Sequence, residues 1–196
     1  MSSRQKENKL RKQYDHVIAV DTAGIMAKAG PVISVCLEMD PNHQIYKVGA
    51  SRKLALEEEY KFFKKIWKDI TNLTISEVGN KETSSFGNRN AAKVCMERAI
   101  QHHLDTNDLD KDNCFFLLDF FDIDEDIELN RKAVKRGDEK DYIIACASII
   151  ANVLQKQYMK RIHSEFPIYN WEENYGYEDE KQKQALDRYG KSLFHR

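Results

Sequence analysis

The sequence predicts an α/β fold with a mixed central sheet flanked by helices, on three observations. Short β-rich runs come first as a group, and later runs alternate with helical segments. One run, "NCFFLLDFF", is too apolar for a sheet edge and reads as a central strand covered on both faces. No repeat, low-complexity linker or Pro/Gly-rich boundary interrupts the chain, so its 196 residues suit one domain over residues 15 to 196, after a charged tail over residues 1 to 14.

The elements follow in order. The first fourteen residues hold five Lys or Arg side chains among polar neighbours and read as a solvated tail or frayed helix, with a nucleic-acid-binding arm as the alternative. "HVIAVD" and "GPVISVCLEM" are strands joined by a Gly-containing loop, and "QIYKVG" is a third. Residues 54 to 70 place Leu56, Tyr60, Phe63 and Ile66 or Trp67 at helical spacing with Glu and Lys between them. "NLTISEV" reads as a strand, and "NRNAAKVCMERAIQHHL" as a helix with Ala91, Val94, Cys95, Arg98 and Ala99 along one side. His102 and His103, at its end, read as a surface or dipole pair rather than ligands. After the central strand come an acid-rich loop, "KRGDEKD", a long helix from about Tyr142 to His163, and a last helix from about Glu178 to Tyr189.

Composition narrows the function classes. A formal net charge of -1 gives the whole molecule no strong pull toward nucleic acid or membrane, so any such binding needs a local patch. Cys36, Cys95, Cys114 and Cys146 lie far apart without a CxxC pair, which argues against zinc and suits reduced, buried thiols. No apolar run reaches membrane-spanning length and the N-terminus lacks the apolar middle of a signal peptide, so no membrane partner and a cytoplasmic location are expected.

Chemistry is signalled by two strands that end alike. "HVIAVD" closes on Asp21 and "CFFLLD" on Asp119. If the strands are neighbours, the carboxylates converge and repel unless a cation or proton lies between them, and Mg²⁺ or Mn²⁺ is the usual cation for such a pair. The alternative is that each Asp only caps a strand.

Four blocks carry a family resemblance. "DTAGIMAKAGPV" resembles DEAGRGPLAGPV, "GASRKL" resembles NDSKKL, "KRGDEKDYIIACASIIANV" resembles KGDxKxxxIAAASIxAKV, and "MKRIHSEFPIYNWEENYGY" resembles a block of the form M.RLH..YP.Y.W..NKGY, all in the order found in ribonuclease HII, the type 2 ribonuclease H family. "GKSLFHR" resembles that family's closing segment. The resemblance implies a ribonuclease H-like fold and a divalent-metal nuclease of RNA/DNA hybrids and of duplex DNA with embedded ribonucleotides.

It also implies a metal site of four acids, Asp-Glu-Asp-Asp. Carried over by position, the first and third are Asp21 and Asp119, while Thr22 replaces the Glu and Lys156 takes the place given to the last Asp. A site altered in this way is more positive, holds one Mg or Mn ion at most and weakly, and disfavours a second. Lys156 is read as pairing with Asp119, as standing in for the second metal, or as turned to solvent. Asp122, Asp124 or Asp126 are candidate replacement ligands. For nucleic-acid binding, Gly24, Ile25 and Met26 occupy the family's Gly-Arg-Gly loop, Ser51, Arg52 and Lys53 its Ser-Lys-Lys, and Tyr177 its sugar-packing Tyr. Glu178, Asp179 and Glu180 beside that Tyr are expected to repel phosphate. The leading expectation is a catalytically impaired relative that retains nucleic-acid or protein-partner binding. The rivals are an active enzyme with a rearranged site using Asp21, Asp119 and Lys156, and a protein-interaction module with an acidic C-terminal surface.

Overall fold

The computed structural model describes residues 4–42, 48, 51–124 and 126–196, the side chain of Arg52 excepted. In chain order these form α1 (Gln5–Leu10), β1 (His16–Ala23), β2 (Val32–Met39), α2 (Leu56–Trp67), β3 (Ile70–Val78), α3 (Asn80–Phe86), α4 (Asn88–Asn107), β4 (Cys114–Asp119), β5 (Arg131–Val134), α5 (Gly137–Lys140), α6 (Tyr142–His163), α7 (Trp171–Asn174) and α8 (Glu180–Tyr189). The sheet order is β3-β2-β1-β4-β5. β1 pairs antiparallel with β2 and parallel with β4, so the sheet is mixed as the sequence predicts.

Strand alternation divides the core. Val17 and Ala19 of β1, with Val35, Leu37 and Leu117, face α6. Ile18 and Val20, with Cys36, Phe116 and Leu118, face Met96, Ala99 and Ile100 of α4. Every residue of α6 from Tyr142 to Ala151 is buried, as befits a helix that is apolar all round. A third cluster around Met159, Tyr169 and Trp171 joins the end of α6 to α7, α8 and Ala29. All four cysteines are free and buried, and among the described residues no helix is long and apolar enough to cross a membrane.

The structure departs from the sequence reading in several places. Residues 5–10 are not a solvated tail. Glu7 is fully buried and accepts hydrogen bonds from Arg4 and Arg11, and Arg11 also donates to the Met39 carbonyl at 2.9 Å, tying α1 to the end of β2. "QIYKVG" lies outside the described residues except for Val48. β5, "RKAV", goes unmarked in the sequence because a short, half-polar edge strand gives little alternation to detect. His103 is no surface residue: it is fully buried beside the Thr74 hydroxyl at 2.9 Å.

Candidate active site

The register between β1 and β4 places the acids. Its last pairs are Ala19 with Leu117 and Val20 with Leu118, so Asp21 and Asp119 come next on adjacent parallel strands, both on the face toward α6. Neighbouring strands run about 4.8 Å apart, so the two side chains start close together. A third acid, missed in the sequence reading, arrives from α5. The Gly137 N–H donates to Asp119 Oδ1 at 2.6 Å, and Asp138, in the first turn of α5, is 4% exposed. Glycine eases this approach: a Cβ at position 137 would lie 2.6 Å from Ile144 Cδ1 and 3.0 Å from Asp119 Oδ1, so a side chain there would have to displace both.

Electrostatics ties the three acids together. The Asp21 carboxyl is held well above its ordinary range, chiefly by burial and then by repulsion from Asp119 and, more weakly, Asp138; the Ser148 hydroxyl and the Thr22 N–H, at 2.6 Å, offset part of this by bonding the charged form. Burial and like charges thus favour a proton or a cation here.

Ser148 connects Asp21 to the second sequence-predicted group. Its hydroxyl lies 2.9 Å from that of buried Ser51, and Asn152 on the same face of α6 donates to Ser51 Oγ at 3.0 Å. Lys53 is exposed and pairs with Glu139 at 3.2 Å. Thr22 follows the opposite parity, toward α4, and its hydroxyl shares a 2.6 Å hydrogen bond with Ser34. It therefore brings no charge to the acids.

The loop after β1 forms the other wall. Lys28 and Ala29 donate backbone N–H groups to the Gly176 carbonyl at 2.7 and 3.3 Å, Gly30 donates to the Phe194 carbonyl at 2.9 Å, and Ala29 pairs with His195. Arg196 closes the loop by donating from Nε to the Gly30 carbonyl and from Nη1 to the Ile25 carbonyl, at 3.0 and 3.1 Å. Gly24 is buried, Ile25 is half-buried and Met26 is 69% exposed. Tyr177, 38% exposed, has its phenol raised chiefly by burial, lowered by the Gly24 backbone and Arg196, and raised again by Asp21. The residue the resemblance assigns to sugar packing therefore lies close to the Gly24 loop, while Arg196, which closes that loop, carried no signal in the sequence.

Lys156 is elsewhere. Its ammonium bonds Glu59 Oε2 at 2.5 Å and stands 5.5 Å from the centroid of the Tyr175 ring, so it forms no ion pair with Asp119 and is not turned freely to solvent. Position 156 is eight residues beyond Ser148, about 12 Å along the helix. Two candidates from the acid-rich loop are also committed: Asp122 pairs with Arg131 and Asp124 with Lys93, each at 2.8 Å, while Asp126 is exposed. Glu178 is balanced by Lys183 and Lys28 at 3.3 and 3.6 Å, and Asp179 caps α8 by accepting from the Gln182 N–H at 2.7 Å, so this patch repels phosphate less than its sequence suggests.

Among the described residues no three Asp, Glu, His or Cys side chains close into a ready-made metal cage. The donor chemistry nevertheless fits a hard divalent ion. Asp21, Asp119 and Asp138 offer oxygen only, and a cation would relieve the repulsion that raises Asp21.

Comparisons with known proteins place the chain by family and by fold. The family model for ribonuclease HII matches residues 18–196. The ribonuclease HII of Caldicellulosiruptor saccharolyticus is 33% identical over 190 residues, covering 97% of this chain and 89% of that protein. Ribonuclease HII in the Archaeoglobus fulgidus complex with PCNA superposes with a TM-score of 0.73 at 17% identity, over 92% of this chain and 93% of that one. Bst-RNase HIII in complex with Mn²⁺ gives 0.66 at 15% identity, over 88% and 69%. At such identities the two structures speak to the fold alone, whereas the family model and the curated relative speak to descent. By that descent, the chain belongs to the ribonuclease HII family.

Proposed function

We propose that this protein binds RNA/DNA hybrids, or duplex DNA with embedded ribonucleotides, over Asp21, Asp119 and Asp138, and cleaves the RNA strand slowly with a single Mg²⁺ or Mn²⁺. The observation that carries the reading is the convergence of three acids on one side of the sheet, with Asp21 raised first by burial and then by the charge of Asp119 and, least, of Asp138. Those three side chains would hold the ion. When bound, the ion supplies Lewis-acid polarisation of a phosphate oxygen and a water that ionises more easily.

The chain's own residues do the rest. The loop from Gly24 to Gly30 and the Tyr177 ring form the wall against which a sugar-phosphate strand lies, and Ser51, held by Ser148 and Asn152, sits on the other side. Thr22, bonded to Ser34, contributes no anion to offset a second dication, which is the physical basis for impairment. Lys156, neutralised by Glu59, assists neither ion nor phosphate.

Incubating a DNA duplex that carries one ribonucleotide with the protein in Mn²⁺ and in Mg²⁺ tests the reading. Slow cleavage is expected, greater in Mn²⁺, absent in Asp21→Asn and Asp138→Asn, and retained in Lys156→Ala. Loss of turnover in Lys156→Ala with Asp138→Asn still active would overturn it, as would the absence of both turnover and ion binding by calorimetry.

A further inference from the structure

We infer that Arg196 is a phosphate-binding residue, its guanidinium meeting a phosphodiester of the bound strand beside Tyr177. The inference rests on the proposed binding of nucleic acid in this cleft and names one contact within it.

The observation is a largely buried cation without an anion among the described residues. Two of the guanidinium's nitrogens are used on carbonyls, Nε on Gly30 and Nη1 on Ile25. Nη2 is buried, has no partner among the described residues, and lies 3.7 Å from where a Cβ on Gly24 would be. Among the described residues no carboxylate pairs with Arg196. Burial pushes the guanidinium down to about 10, and the group that acts against this is the Tyr177 phenol, neutral at ordinary pH.

Taking an unpaired charge out of water is costly, and buried cations normally keep an anion or metal-bound partner. Here the vacant donor faces the glycine of the β1–β2 loop, and the Tyr177 phenol interacts with both the guanidinium and, more weakly, Asp21. A phosphodiester fits this vacancy: it is anionic, it accepts from planar N–H donors, and at this position it would lie along the strand that crosses the acids. Because Nη2 is shielded, a phosphate would reach it through a small shift of the wall, where the partly exposed Tyr177 phenol already interacts with the guanidinium.

The test is anisotropy of a labelled RNA/DNA hybrid bound by the full chain in EDTA, across a salt series. Arg196→Met is expected to weaken binding about tenfold at low salt and to lower the slope of log affinity against log salt by about one. Arg196→Lys, which keeps the charge but cannot bond both carbonyls, is expected to keep the slope. Circular dichroism establishes that each variant folds; should Arg196→Met fail to fold, Arg196→Gln, which keeps an amide donor and drops the charge, reads the same slope. A folded neutral variant with the wild-type slope would reduce Arg196 to a structural clamp and sink the inference alone. A wild-type protein that binds no hybrid even at low salt would sink the functional reading and this contact with it.

Discussion

Glu59 is fully buried and meets one ammonium, that of Lys156, while its Oε1 finds no partner among the described residues. Removing the lysine leaves a carboxylate stranded in the protein, a change that costs about 3 kcal/mol. Lys156→Ala is therefore expected to lower the melting temperature by several degrees while leaving Mn²⁺ affinity unchanged; an altered affinity with unaltered melting would contradict this assignment. Phe120, immediately after Asp119, has a φ of 63° and a 54% exposed ring, and the Phe121 N–H donates to the Asp119 carbonyl across it at 2.7 Å. A bulky residue in this left-handed turn is strained, so Phe120→Gly should stabilise by about 1 kcal/mol in denaturant unfolding. The sequence revealed Asp21 and Asp119 because each ends an apolar run. It did not reveal the Lys156 pairing, since Glu59 is 97 positions away and a motif locates a residue on its helix without naming its partner.

Elements explain why the third acid was hard to see. Asp138 reaches the site because β5 adds parallel to β4 and α5 begins at once with Gly137 against Asp119. β5 is a short edge strand whose alternation is too brief to register, so "KRGDEKD" carried no sign of sheet proximity. The long strands and α6 were legible from their apolar patterns; the turn that closes the site was not, since it depends on contacts between distant segments. Gly176 is the comparable point on the opposite wall. With a φ of 83° and the Ala29 carbonyl against the place of its missing Cβ, Gly176→Ala should destabilise by about 2 kcal/mol or more, and proteolysis should cut the Gly24–Gly30 segment faster.

At the scale of the whole molecule, two buried groups give opposite pH dependences. His103 is depressed to about 4, first by burial, with His16 and His102 adding to this and Glu38 opposing it. The fold therefore binds fewer protons than the unfolded chain, and His103 removes stability as pH falls from the ordinary imidazole range toward 4, by about 3 kcal/mol in all. His103→Gln should flatten that acid limb. Asp21 works in reverse. Its raised carboxyl stabilises the fold below its unfolded pKa, and that contribution is lost as pH rises through the folded value. Asp21→Asn should thus raise the melting temperature at pH 8 and lose its advantage toward pH 4, and Mn²⁺ affinity of the wild type should climb over the same interval as the proton leaves.

The stitch between Gly30 and Arg196 spans 166 positions. Contacts so remote in sequence are entropically late, and synthesis releases the N-terminal part of a chain first. Folding that starts from the earlier part of the chain can thus assemble β1 to β4 with α6 while the wall beside Asp21 still gapes, so the cleft closes only when these two remote segments meet.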